Sequence, residues 1–367
     1  MAIRRALSGS VVFAACLFAA GCSSTAAPNV ADAASESTTT VSNTNGADIG
    51  PAVESWVGDA PGGVAVLVQR EGAVSRASAG FANSSGDPVD PGDSFRVGSI
   101  SKPFVATMVM QMVDEGTVHL DAPITNYVDD VSMWGNTTVA ELLSHRSGIP
   151  NYTATGAFFE TIEDFEREFE PEEVLGFVSD QDAVAYAPFE YSNTNYILLG
   201  MLVESVDDRS LNESLTTRVI EPAGLDATRF AVADSPNPDA APWSTLAGFD
   251  GDPTGQYDSV ATGAWAAGSL ISTVDDLSLF LEALFDGRLV SDESLAAMTD
   301  VGDVGYGLGI LQANFSFSQS GFGHSGSIFG YTSTMALDPE TGDRLVIVTN
   351  NDSLIADVLA QRILGSW

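Results

Sequence analysis

Lysine is almost absent from this chain of 367 residues. Lys102 is the only one, and the other basic residues are arginines and three histidines. An arginine keeps its proton in a protein, whereas a lysine amine can be tuned towards neutrality. The one lysine therefore indicates a place where a titratable amine is needed. Ser99 lies one helical turn before it on the same helix face, so the two side chains are a candidate nucleophile and base.

Cysteine is nearly as scarce, and both copies, Cys16 and Cys22, lie near the N-terminus. A disulfide framework is thus excluded for the rest of the chain, and a body of about 300 residues is large enough to fold without one. Two arginines precede an apolar run at residues 11–20 that is too short to span a bilayer. Small residues then lead into Cys22, a pattern that resembles a bacterial lipoprotein signal.

This N-terminal pattern predicts an extracytoplasmic protein. We expect residues 1–21 to be a signal peptide and Cys22 to carry a lipid that anchors the protein to the cell membrane; an ordinary signal peptide cleaved nearby is the alternative. Residues 22–50 are rich in Ser, Thr and Ala and have almost no large apolar side chains. Such a segment cannot offset its ordering entropy, so we expect a disordered tether.

Positive charge is scarce overall, and the formal net charge is −36. This charge excludes nucleic acid and anionic membrane surfaces as partners of the folded body. Adaptation to solubility or to a salty medium explains the charge, and attraction of a cationic substrate is the alternative. The three histidines lie far apart and no H-E-x-x-H motif occurs, so the sequence indicates no metal site and no other cofactor.

The order of the predicted elements indicates an α+β fold, an α/β sandwich in which helices flank an antiparallel sheet. Strand patterns occupy both ends of the body, and mostly helical patterns lie between them. We expect a sheet domain built from residues 51–95 and 265–367, with a helical domain at 96–264 inserted into it. Expected strands cover 63–70, 73–81, 322–328, 331–337 and 344–349, a closing helix covers 352–364, and a helix broken at Pro171 covers 162–178.

Three separated motifs carry the candidate chemistry: Ser99-Ile100-Ser101-Lys102, Tyr191-Ser192-Asn193 and His324-Ser325-Gly326-Ser327. In this order and spacing they resemble the serine penicillin-recognising hydrolases, the branch that holds class C β-lactamases, D-alanyl-D-alanine carboxypeptidases and related esterases. The stretch Gly323-His324-Ser325-Gly326-Ser327 nearly matches the nucleophile elbow of a Ser-His-Asp hydrolase of the α/β type. That reading is excluded, because such an enzyme needs its histidine after the nucleophilic serine and no histidine follows Ser325.

The resemblance implies a role for each residue of the first two motifs. Ser99 would attack a carbonyl and become acylated. Lys102 and Tyr191 would share the proton transfers, and either can be the immediate base, because Lys⁺ lowers a phenol pKa and burial lowers an amine pKa. Asn193 would bind Lys102 and the substrate amide. His145 is read as structural, with its ring bonded to nearby backbone.

The third motif would form the wall along which an extended substrate lies. The resemblance implies an oxyanion hole from the backbone N–H groups of Ser99 and Ser327, and substrate contacts from His324, Ser325 and Gly326. Many relatives have lysine at the position of His324, where it holds a substrate carboxylate. A histidine is charged only below its pKa, which we expect the acidic surface to raise.

These features together predict a monomeric serine hydrolase that acts through an acyl-enzyme. The first expectation is a D-alanyl-D-alanine carboxypeptidase-like or β-lactamase-related activity on a small peptide or β-lactam. A carboxylesterase on the same fold is an alternative, because without a fixed cation at His324 a neutral ester can be the substrate. A catalytically silent binding lipoprotein is the alternative from another class.

Overall fold

A seven-stranded antiparallel sheet forms the base of the fold in the computed structural model, which describes residues 40–44, 46–184, 189–233, 235–244, 248–313 and 321–365. Its strand order is β1-β3-β2-β10-β9-β8-β7. The strands are β1 (Thr40–Thr44), β2 (Gly63–Arg70), β3 (Ala73–Gly80), β7 (Leu311–Ala313), β8 (Gly321–Ile328), β9 (Tyr331–Leu337) and β10 (Arg344–Thr349). The predicted hairpins and the antiparallel sheet are therefore confirmed.

A second, three-stranded sheet includes the strand that directly precedes the motif Ser99-Ile100-Ser101-Lys102. Its order is β4-β6-β5, with β4 at Phe95–Arg96, β5 at Arg229–Phe230 and β6 at Leu270–Ser272. Both of its pairings are antiparallel. The short strand β4 is followed in the chain by the turn that contains Gly98 and Ser99.

Helices cover both faces of the large sheet, as the α+β prediction required. Helices α1 (Gly50–Val57) and α12 (Ala356–Gly365) pack their apolar residues on one face. The opposite face supports the main core, which includes α2 (Ser101–Asp114) and α10 (Val274–Phe285). The remaining helices are α3 (Val139–Leu143), α4 (Gly156–Ile162), α5 (Pro171–Gly176), α6 (Asn193–Asp207), α7 (Leu211–Leu215), α8 (Glu221–Ala223), α9 (Asp258–Gly268) and α11 (Asp292–Thr299).

Helix α2 is the central helix of the main core. A 3₁₀ turn at Gly98–Ile100 leads into it, and Pro103 occupies its first turn, where backbone donors have no partner within the helix. Eleven of its fourteen residues are buried, Lys102 among them. Stacking of Phe104 on Phe280 of α10, with ring centroids 3.7 Å apart, helps to fix α2 in place. Helix α2 thus begins at Ser101, directly after the turn that holds Ser99, and ends at Asp114.

Two expectations about local structure are corrected. Strand β1 lies inside residues 22–50, where we expected a disordered tether; its backbone pairs with the edge of β3 from Thr40 to Thr44, because an open sheet edge binds an extended segment. The signal peptide, Cys22 and the rest of that segment up to residue 39 lie outside the described residues. The expected helix at 162–178 is also wrong in its first half, since residues 163–170 are not helical and α5 begins only at Pro171.

No helix among the described residues is both long and apolar enough to cross a membrane.

Candidate active site

Ser99 and Lys102 meet as their spacing predicts. The Lys102 ammonium nitrogen Nζ lies 2.9 Å from the Ser99 Oγ. Lys102 is fully buried, whereas Ser99 is half-buried and open to a substrate. The 3₁₀ turn places the serine at the beginning of α2, where the partial positive charge of the helix end favours developing negative charge.

The Lys102 Nζ has two further partners: Asn193 Oδ1 at 2.8 Å and the backbone carbonyl of Ala267 at 2.7 Å. A charged ammonium donates one hydrogen to each of these and one to Ser99 Oγ. A neutral amine has two hydrogens and a lone pair, so it can keep both fixed acceptors and take the proton of Ser99 through the lone pair. The three-partner geometry therefore suits an amine that alternates between the two states.

The second motif stands at the N-terminus of α6, against the buried lysine. Asn193 is the first residue of this helix, and its amide nitrogen Nδ2 donates to Thr153 Oγ1 at 3.0 Å while its Oδ1 accepts from Lys102. The predicted contact between Asn193 and Lys102 is therefore present. The ring centroid of Tyr191 lies 5.0 Å from Lys102 Nζ, close enough for a cation–π contact. Tyr191 and Asn193 therefore both contact Lys102.

His145 fixes the position of this second motif. Its backbone is left-handed, with φ of 55°, and its Nδ1 accepts a hydrogen bond from the Ser192 N–H at 3.2 Å. Its ring packs on the ring of Tyr191, with centroids 4.2 Å apart. Burial, followed by the nearby Lys102 charge, holds the pKa of His145 well below its usual range. His145 is thus a neutral, buried ring, and its structural role through a backbone bond is as expected.

Strand β8 offers an open edge beside Ser99. Strand β7 pairs with β8 only over Gly321–Gly323, so no described strand covers residues 324–328 on that side. Ile328 and Tyr331 flank a two-residue turn and close the hairpin to β9. The pair that closes such a hairpin is hydrogen-bonded, and hydrogen-bonded pairs alternate along an antiparallel ladder. The next pair, Ser327 with Thr332, is therefore not hydrogen-bonded, and the N–H of Ser327 points to the open edge.

The two predicted oxyanion donors converge because glycines let their backbones approach. A Cβ on Gly98, whose φ is +53°, would lie 2.9 Å from the backbone of Ser327. A Cβ on Gly326 would lie 3.1 Å from the Ser99 nitrogen and would overlap the Val97 carbonyl. The N–H of Ser99 and the N–H of Ser327 thus border one small space at the β8 edge, which is the arrangement that an oxyanion hole requires.

His324 lies beside this site without offering it a charge. It is only 3% exposed, its Nδ1 donates to the Ser325 carbonyl at 2.6 Å, and its Nε2 accepts from the Tyr306 hydroxyl at 3.2 Å. Burial, followed by the Lys102 charge, lowers the pKa of His324 to about 3. The expectation that an acidic surface raises this pKa is therefore wrong, because the ring is enclosed by protein and faces no acidic surface.

Ser325 and Gly326 point to opposite faces of the sheet, as strand alternation requires. Gly326 faces Ser99, and its contact with a substrate stays a prediction. The Ser325 Oγ instead donates to the carboxylate of Asp357 on α12, at 2.9 Å from Oδ1 and 3.1 Å from Oδ2. The Ser325 side chain therefore faces the start of α12, and its expected contact with a substrate stays a prediction.

Three contributors to the site escaped the sequence reasoning. The Ala267 carbonyl left no signal, because any residue type supplies a carbonyl. Tyr306 lies outside the three motifs, and its role as donor to His324 depends on the fold. Asp357 had no signal beyond being one of two acids in the expected closing helix.

The sequence is similar to known proteins over most of its length. A sequence model of the family described as Beta-lactamase matches residues 52–364. Penicillin-binding protein 4 of Amycolatopsis lactamdurans is 25% identical over 328 residues, covering 78% of this chain and 80% of that protein. D-aminopeptidase of Brucella anthropi is 27% identical over 287 residues, covering 74% of this chain and 52% of that protein, so the chain spans about half the length of that relative.

Solved structures resemble the fold over most of the chain. The D-stereospecific amidohydrolase from Streptomyces sp. matches with a TM-score of 0.71 and 27% identity, over 84% of this chain and 95% of that one. D-amino acid amidase from Ochrobactrum anthropi SV3 matches with a TM-score of 0.72 and 27% identity, over 86% of this chain and 99% of that one.

Proposed function

Because the chain belongs to the β-lactamase family and is a serine hydrolase of that fold, we propose that it is an amidohydrolase of D-amino acid amides and short peptides. It acts through an acyl-enzyme on Ser99. The observation that carries this proposal is the buried Lys102, whose Nζ lies 2.9 Å from Ser99 Oγ and has two fixed acceptors besides. That arrangement has no purpose in a silent binding protein.

The proposed reaction has two halves. In the first, neutral Lys102 takes the Ser99 proton, directly or through Tyr191, as the bond between Ser99 Oγ and the substrate carbonyl carbon forms. The N–H groups of Ser99 and Ser327 stabilise the oxyanion, and the carbon–nitrogen bond then breaks as the proton passes to the leaving amine. In the second, water attacks the acyl group by the same route, releasing the acid and regenerating Ser99.

Two observations favour an amide substrate over the expected D-alanyl-D-alanine carboxypeptidase activity. A carboxypeptidase must hold the terminal carboxylate of its substrate, and the neutral His324 supplies no charge for that task. The similar solved structures include a D-stereospecific amidohydrolase and a D-amino acid amidase. The β-lactamase-related and esterase activities remain alternatives for the same acyl-enzyme chemistry.

Labelling with a fluorophosphonate tests the acyl-enzyme directly. The purified mature protein should be labelled and Ser99→Ala should not, whereas Ser84→Ala, at an exposed serine, should label as the parent does. Hydrolysis is then compared for D-alaninamide, a D-Ala-D-Ala peptide, nitrocefin and p-nitrophenyl acetate. Label that persists in Ser99→Ala overturns the nucleophile, and absence of both label and hydrolysis favours the binding lipoprotein.

We also propose that the enzyme works outside the cytoplasm, anchored by a lipid on Cys22. The support is the N-terminal sequence pattern alone: two arginines, a short apolar run and small residues before the cysteine. Palmitate labelling in a bacterial host should be lost in Cys22→Ser and kept in Cys16→Ser. Equal labelling of the two variants would contradict the anchor.

A further inference from the structure

Asp357 is a carboxylate at the catalytic edge that the reaction above does not use. It is the second residue of α12 and accepts hydrogen bonds from the hydroxyls of Ser325 and of Thr334, which pair across the sheet. It is only partly exposed, and burial, the largest effect, raises its pKa. Among the described residues no ion pair joins Asp357 to a cation within 4.0 Å. Its two hydrogen-bond donors, the hydroxyls of Ser325 and Thr334, are neutral, so no ion pair offsets its charge in the described part of the chain.

The direction of a bound substrate decides which part of it meets Asp357. We place the substrate as an extra antiparallel strand on β8, with its reacting carbonyl accepting a hydrogen bond from the Ser327 N–H. Because the two strands are antiparallel, the C-terminal end of the substrate then lies on the Ser325 side of Ser327. The acylated residue then lies opposite Ser327 and a one-residue leaving group opposite Gly326. The terminal group of the leaving residue, a carboxylate or an amide, then lies opposite Ser325, whose hydroxyl donates a hydrogen bond to Asp357.

We propose that Asp357 selects substrates by the charge of the leaving group: it accepts an ammonium or a neutral amide N–H there and rejects a free carboxylate. This inference rests on the proposed amidohydrolase function. A substrate carboxylate at this end would face the carboxylate of Asp357, with the neutral His324 as the nearest basic side chain on β8. A leaving amine or amide instead adds a donor to the two hydroxyls that Asp357 already binds, and a charge-assisted hydrogen bond forms.

A matched set of three substrates tests the inference. All carry the same D-alanyl acyl group, and the leaving groups are glycine with its free carboxylate, glycinamide, and 1,2-diaminoethane with a free ammonium. We expect kcat/KM to rise in that order, with about ten- to hundredfold between the first and the last, the range of a charge-assisted hydrogen bond. Asp357→Asn should narrow this spread to about threefold or less, because asparagine keeps an acceptor for Ser325 but not the charge.

The control variant is Asp292→Asn, which removes the same charge at an exposed position on α11 and should leave the spread unchanged. Fluorophosphonate labelling of each variant shows that Ser99 is still active. If wild-type protein does not hydrolyse the glycinamide substrate, the proposed function fails. If wild-type protein hydrolyses the glycinamide substrate but prefers the substrate with the free carboxylate, only the role of Asp357 is overturned. The same conclusion follows if Asp357→Asn and Asp292→Asn change the substrate preference equally. Should Asp357→Asn not fold, the order of the three substrates on wild-type protein still decides.

Discussion

The backbone of Ser327 lies directly against Gly98, so close that a Cβ on Gly98 would be 2.9 Å from it. Gly98→Ala must therefore separate the oxyanion donors and also force an alanine to φ of +53°. We expect a loss of stability of about 1–3 kcal/mol and a fall in kcat of about a hundredfold, as a misplacement of 1 Å can cause.

Gly116→Ala is the matched control for this prediction. Its φ is +75°, but a Cβ there meets nothing within 4 Å. It should lower stability by about 1 kcal/mol through the backbone alone and leave kcat unchanged. Thermal melts and single-substrate kinetics measure both variants, and equal kcat values for the two would refute the close approach as the reason for Gly98.

Lys102→Arg should abolish turnover although it keeps a positive charge. An arginine cannot accept the Ser99 proton, and its larger head does not fit a position that is fully buried with three partners. Loss of a general base typically costs about 10²–10⁴ in rate. Stopped-flow acylation with a fluorophosphonate or a chromogenic amide measures the step, and an Arg variant that retains activity would mean that the amine is not titrated.

His324 should make the folded protein less stable in acid. Its pKa is lowered to about 3 in the folded state from about 6.5 in an unfolded chain. The unfolded state therefore binds the proton first, and the contribution of His324 is present above pH 6.5 and is lost as the pH falls towards 3. The expected slope is about 1.4 kcal/mol per pH unit.

Urea unfolding at pH 7.5, 5.5 and 4.5 measures this slope. His324→Gln should make the dependence shallower by about one proton, and His119→Gln, at an exposed histidine, should not. Identical slopes for wild type and His324→Gln would show that the His324 ring is not held neutral. The comparison uses slopes, because His324→Gln also changes the contact with the Tyr306 hydroxyl.

His145→Phe should impair the second motif while keeping an aromatic ring beside Tyr191. It removes the acceptor for the Ser192 N–H, which is buried. An unsatisfied buried donor costs about 1–3 kcal/mol, and a shifted Tyr191 should lower kcat more than it raises KM. Activity and pH profile equal to those of the wild type would assign His145 a purely packing role.

Much of the candidate site was predictable because residue identity itself carries the chemistry. Ser99, Lys102 and Asn193 lie in short motifs, and their mutual contacts follow from helix geometry and one tertiary approach. The fold class followed from where strand and helix patterns fall. Pro103 lies in the first turn of α2, where proline is tolerated, and not deeper in the helix.

The rest depended on tertiary burial that no local pattern records. The charge state of His324 was misjudged because the sequence shows an acidic chain, whereas the ring is enclosed and bonded to Tyr306. Asp357 gained its place from the packing of α12 on the sheet. Residues 163–170 have many acids suited to an exposed helix, yet Phe165 and Phe169 are drawn into aromatic contacts with Phe249 and Phe158 that a continuous helix does not provide.

The place of β1 in the sheet has a consequence for access. The chain enters the described fold at Thr40, on one outer strand, and β8 lies five strands further across. Five spacings of about 4.8 Å put roughly 24 Å between the point of entry and the catalytic edge. The open edge of β8 therefore faces away from β1, and a substrate reaches Ser99 on the opposite side of the sheet from Thr40.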